Sequence, residues 1–148
     1  MNSNNKARTV IGMAVSLAVL AGCAEEPLSV YTSSKAHDMA TENLCVVYHR
    51  LNSSSAMPAA DIDASKQAVR AELTARNEVP QSEWRDINDK FMEKGLHRCA
   101  VWAILGEPER VNAVHGHDAV EEIWHYGKDA YVHLFDGKVT AYQLSPTG

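Results

Sequence analysis

Beyond Pro108 the spacing of apolar residues changes, and the change separates predicted helices from predicted strands. Before it, Leu44, Val47, Tyr48 and Leu51 recur at helical spacing with Cys45 beside them and Asp38 placed to cap, which predicts a helix over about 39–52. Asn52 to Pro58 is a run of turn formers and reads as a loop. A second helix is predicted over about 61–77, with Ile62, Val69 and Leu73 on one stripe and Lys66, Arg70 and Glu72 elsewhere; Val79-Pro80 ends it. Ser82 is expected to cap a third helix carrying Trp84, Ile87 and Phe91, stopped by Gly95. A short fourth holds Cys99, Val101, Trp102, Ile104 and Leu105 and closes at Gly106, with Pro108 two residues on. These stripes read as core.

The remainder is short, β-branched and aromatic: Ile123 to Tyr126, Ala130 to Phe135, and Val139 to Leu144. Asp136-Gly137 suits a two-residue hairpin loop with Phe135 facing Lys138. That register puts Val132, Leu134, Val139 and Ala141 on one face and Tyr131, His133, Thr140 and Tyr142 on the other. Val111 to Val114 offers part of another strand. The expected fold class is α+β: N-terminal helices followed by a short antiparallel three-stranded meander, with the helices on one sheet face.

The N-terminus follows different rules. Lys6, Arg8 and the terminal amine precede an apolar run from Val10 to Leu20. Eleven residues fall short of the roughly 20 that span a hydrocarbon core, but fit the central part of a signal peptide. The run ends in Leu20-Ala21-Gly22-Cys23, which resembles the lipobox of bacterial lipoproteins. That resemblance implies cleavage before Cys23 and acylation of its thiol; Ala24, rather than Asp, after the cysteine implies the outer membrane. The chain then divides into a signal peptide at 1–22, a lipidated cysteine and tether at 23–37, a helical region at 38–94 and a helix-plus-strand region at 95–148. Residues 38–148 are expected to form one compact domain.

Removal of the signal leaves twelve basic residues against nineteen acids, a net charge of −7. Such a chain has no electrostatic footprint for nucleic acid. Charge would not hold it on an anionic bilayer, so the lipid must. The other two cysteines, Cys45 and Cys99, are an even pair in a chain read as exported, most simply a disulfide in the oxidising periplasm. Two buried free thiols are the other reading.

The stretch Gly95 to Gln143 resembles BamE and its BamE-like relatives (the SmpA/OmlA group), outer-membrane assembly lipoproteins. Gly95 matches the glycine that opens the family's short helix, and Leu105-Gly106-Glu107-Pro108 matches its Leu-Gly-x-Pro ending. Trp124-His125-Tyr126 matches the aromatic strand, and Phe135 to Val139 the closing turn. Leu96-His97 stands where the family has Met and a capping Ser or Thr, and the helical region from about 39 to 92 has no counterpart there. The motif is a fold signature, so no functional residue is carried over. The resemblance implies envelope scaffolding; some tandem domains of this shape inhibit enzymes by binding them.

Candidate chemistry is sparse. His115, His117, His125 and His133 lie close in sequence, and His115-x-His117 on a strand would put two imidazoles on one face, as a metal site needs. No Cys, Asp or Glu joins them at a recognised spacing, so the expectation is no metal and no cofactor. Ser53-Ser54-Ser55 lacks a nucleophile elbow, and enzymatic activity is not expected. Tyr131, His133, Thr140 and Tyr142 form an aromatic, half-polar face of the kind enriched at protein interfaces. The expected function is a lipid-anchored, periplasm-facing, non-enzymatic protein that binds other envelope proteins as an assembly or stability factor. Alternatives are an inhibitor or exclusion lipoprotein that blocks a secretion, conjugation or hydrolytic partner, and a histidine-based metal or small-ligand module.

Overall fold

Helices and strands follow each other in two blocks, as the change in apolar spacing requires. The structure is a computed structural model, and it describes residues 28–116 and 119–145. The signal segment, the lipobox and Cys23 lie outside the described residues.

Thr32 opens the first helix, α1 (Ser33–His37), by accepting the N–H of Lys35 on its hydroxyl. The expected tether is therefore shorter than 23–37. Tyr31 and Ala36 are buried, and the Tyr31 N–H donates to Oγ of buried Ser65 at 3.0 Å. Asp38 caps the end of α1 rather than the start of α2 (Thr41–Ser53), which has no side-chain cap. α2 buries Leu44, Cys45, Val47, Tyr48 and Leu51, the stripe its spacing defines. α3 (Ala59–Ala75) buries Val69 and Leu73 but places Ser65, not Ile62, a turn earlier on that stripe. Ser65 is tolerated there because it is the hydrogen-bond partner of Tyr31. Just past α3, the Arg76 guanidinium binds Glu72 at 2.8 Å and donates to the carbonyls of His37 and Met39, each at 2.8 Å. One side chain thus fastens the end of α3 to the α1–α2 connection.

The third predicted helix is broken. A single 3-10 turn (Gln81–Glu83) leads into α4 (Trp84–Asp89), which stops at Lys90 in a left-handed conformation, φ 53°. The N–H of Phe91 reaches back to Asp86 O at 2.8 Å, a Schellman-type closure. Ser82 sits inside the turn and caps nothing, and Gly95 is not the stop signal. Phe91 is consequently exposed, and Met92 takes the buried place.

α5 (Arg98–Leu105) is joined to α2 by the Cys45–Cys99 disulfide, Cα–Cα 5.3 Å. Gly106 ends it at φ 81°, and an added Cβ would stand 3.0 Å from the His49 ring, so both backbone and space demand glycine. Four strands follow, one more than expected: β1 (Arg110–His115), β2 (Val120–His125), β3 (Tyr131–Phe135) and β4 (Lys138–Gln143), antiparallel in the order 1-2-3-4. The Val111–Val114 segment is the extra strand. Trp124, Val132, Leu134 and Val139 share the face that packs on the helices, and the Trp124 ring stacks on Trp102 of α5 at 4.8 Å. Full burial of each of the three aliphatic side chains contributes about 1.5–3 kcal/mol.

Candidate functional site: the open edge and outer face of the sheet

A strand at the end of a sheet leaves half of its backbone N–H and C=O groups without a ladder partner. The two ends of this sheet deal with that differently. At the start of β4 the Gly95–Arg98 segment covers the edge: Gly95 N–H donates to Val139 O at 2.8 Å, Val139 N–H to Leu96 O at 2.9 Å, and Arg98 N–H to Gly137 O at 2.8 Å. Along β1, β2 is the only neighbour among the described residues. All six β1 residues are exposed, Val111 by 45% and Val114 by 67%.

The direction of the open groups follows from the pairing. Val120 O accepts the backbone N–H of Asp136 and Val120 N–H donates to the Asp136 carboxylate, and Gly116 N–H donates to Ala119 O. By alternation, Arg110, Asn112 and Val114 bond to β2, and Val111, Ala113 and His115 turn their N–H and C=O outward. The residues of this segment on their own indicate only part of a strand. That it is an edge strand depends on the long-range order of the sheet, which has no local signal.

The hairpin loop is Asp136-Gly137, both at positive φ (47° and 75°), and Phe135 faces Lys138 as expected. The face assignment beyond it fails at a β-bulge. Leu134 pairs with Val139 but His133 pairs with Ala141, leaving Thr140 as the extra residue. The slip carries Tyr142 opposite Val132, on the helix side, where its hydroxyl donates to Met92 O at 2.8 Å. Tyr131, His133, Thr140 and Tyr142 therefore do not form one face. Tyr131 and His133 remain together on the outer face, rings edge to face at 5.3 Å, while the Thr140 hydroxyl lies against His133 O. The outer face has three cross-strand rows: Arg110, His125, Tyr131 and Gln143; Asn112, Ile123, His133 and Ala141; Val114, Glu121, Phe135 and Lys138. Phe135, 49% exposed, and Val114 give it an apolar margin that the sequence reading missed.

The histidines do not converge. His125 and His133 lie on the outer face, whereas His115 pairs with Val120 on the helix face. His117 lies outside the described residues. The donors Asn112 Nδ2 and Arg110 Nη2 both approach His125 Nε2, at 3.1 and 3.3 Å, which makes that nitrogen the acceptor. Among the described residues no group of three or more His, Cys, Asp or Glu could hold a metal ion.

A polar cleft of about 540 Å³ lies where α5 begins, lined by His97, Arg98, His115, Glu122 and Asp136 among others. Three of its lining side chains, His97, Arg98 and Glu122, are held in ion pairs. Arg98 pairs with Glu122, and buried Glu83 accepts from both the backbone N–H and Nδ1 of His97. At the other end of α5, the Tyr126 hydroxyl donates to Gly106 O, and burial pushes that phenol well above its ordinary range.

Comparison with known proteins gave no match to a protein-family model, a curated protein or a solved structure. Among the described residues no helix is long and apolar enough to cross a membrane.

Proposed function

We propose that this chain is a bacterial envelope lipoprotein, related to the BamE-like domains, that binds an extended segment of another envelope protein along the open edge of β1. It is anchored in the outer membrane through acylated Cys23, faces the periplasm and acts as a non-enzymatic assembly or stability factor. The observation that carries the reading is the contrast between the two sheet edges. A strand added to β1 would satisfy the outward groups of Val111, Ala113 and His115, with Val111 and Val114 as apolar contacts on opposite faces. The Arg98–Glu122 and His97–Glu83 pairs support a structural role for those residues of the polar cleft. The order of α5, Gly106 and an antiparallel sheet closed by Asp136-Gly137 is consistent with the BamE-like resemblance.

The test is a crosslinking pull-down of the native lipidated protein from its own envelope, run beside Ala113→Pro, which removes one outward N–H without touching the β2 ladder. The expected result is a stoichiometric outer-membrane or assembly protein that the variant fails to capture. Equal capture by both would overturn the edge-binding mode. Edge-dependent capture of a single hydrolytic or secretion component would favour the inhibitor alternative. Cys23→Ser should abolish palmitate labelling; continued labelling would refute the anchor.

A further inference from the structure

We propose that the surface carrying Leu28, Val30 and Lys35 rests on the headgroup layer of the membrane that holds the anchor. The inference rests on the acylation of Cys23 proposed above and adds an orientation to it. Only four residues separate Cys23 from Leu28. A fully extended chain covers at most about 3.5 Å per residue, so Leu28 can lie no more than about 17 Å from the acylated residue. Part of that span is used in crossing the headgroups, each layer of which is roughly 5–8 Å thick. The remaining slack is less than the radius of gyration of a domain this size, about 13 Å.

From Leu28 onward the chain is fixed to the domain. Leu28 packs against the core, Tyr31 is buried, and the Tyr31 N–H is held by Ser65. The tether therefore cannot lengthen by peeling away this segment without losing buried contacts. Val30, between those two anchoring points, is 47% exposed. Lys35 reaches the two residues that flank Val30 in sequence: its ammonium donates to Ser29 Oγ at 2.6 Å and stands 4.4 Å from the centre of the Tyr31 ring. An exposed apolar side chain in a segment that also carries a lysine ammonium suits the boundary between acyl chains and headgroups. The mature chain is acidic overall, so this contact is local and imposed by the tether rather than drawn by net charge.

The fold also supplies an internal control. Tyr31 lines a shallow cleft with Met39, Arg50 and Glu107, and Glu107 follows the end of α5. Phe135 is next to the Asp136-Gly137 turn, where Gly137 O accepts the N–H of Arg98 at the start of α5. The two sites therefore lie at opposite ends of that helix.

A photo-reactive phenylalanine analogue at Val30 or at Phe135 of the full lipidated protein, in phosphatidylethanolamine–phosphatidylglycerol vesicles, tests this. Palmitate on Cys23 is checked in the same preparation. With palmitate present, the expected result is a phospholipid adduct several-fold stronger at position 30 than at 135; equal yields would overturn the orientation. Absence of palmitate would sink the acylation reading and this inference with it. A flexible glycine–serine insertion after Pro27 should weaken the adduct at position 30 while leaving palmitate in place, and an unchanged adduct would overturn the role of the tether.

Discussion

The two edges of the sheet are built from similar material and finished in opposite ways. The start of β4 is closed by the Gly95–Arg98 segment, which continues directly into α5, and α5 is stapled to α2 by Cys45–Cys99. β1 follows the other end of α5, after Gly106 and Pro108 have turned the chain out of the helical layer, and every one of its residues is exposed. Covering an edge is therefore the work of a whole connection plus a crosslink, not of the strand's own sequence. An edge left open in the same small domain, with valines on both of its faces, is a place where a further strand fits.

The largest expected effect is on the closed side. Replacing Cys45 and Cys99 together by alanine frees a 54-residue separation and should lower stability by about 4 kcal/mol on the chain-entropy account, read by denaturant titration. The amides of Val139 and Gly95 should then exchange faster; unchanged exchange there would separate the disulfide from edge protection. Next comes one substitution made on both edges. Val139→Pro deletes the N–H that bonds Leu96 O and should cost about 3 kcal/mol or more, whereas Ala113→Pro should stay within about 1 kcal/mol. Equal costs would mean that β1 is not open.

A smaller effect concerns Tyr126, which fastens the residue after β2 to the end of α5. Tyr126→Phe removes the bond to Gly106 O and should cost about 1 kcal/mol. Burial raises the folded-state phenol above its unfolded value, so its contribution is fully present below about pH 10 and fades as pH rises past that point. Tyr48, also raised chiefly by burial with Arg70 opposing, acts with the same sign. The variant should therefore flatten the alkaline fall in stability without abolishing it. The smallest stability effect is expected for Val114→Lys, within about 0.5 kcal/mol, yet it should weaken partner capture; full capture would remove Val114 from the interface.

What could be read from the sequence was local. The α2 stripe, the Gly106 cap and the Asp136-Gly137 hairpin each follow from a few neighbouring residues, and each lies close to where its pattern puts it. The failures are non-local. Tyr31 and Ala36 are buried, and Tyr31 is held by Ser65 of α3 across 34 positions, which no tether-like composition reveals. α4 ends at Lys90, a non-glycine residue in a left-handed conformation, where the pattern pointed to Gly95. The bulge at Thr140 lies past a correctly read turn and moves Tyr142 off the expected surface, because a one-residue slip inverts every later side chain. The histidine group separates for the same geometric reason: odd and even positions of β1 face opposite sides.

The most direct test is amide hydrogen exchange on Val111, Ala113 and His115, first in the free protein and then in the complex recovered by the pull-down. In the free protein these three should exchange quickly while Val139 exchanges slowly, and in the complex all three should become protected. Protection already present in the free protein, or fast exchange persisting in the complex, would contradict an open edge that receives a partner strand.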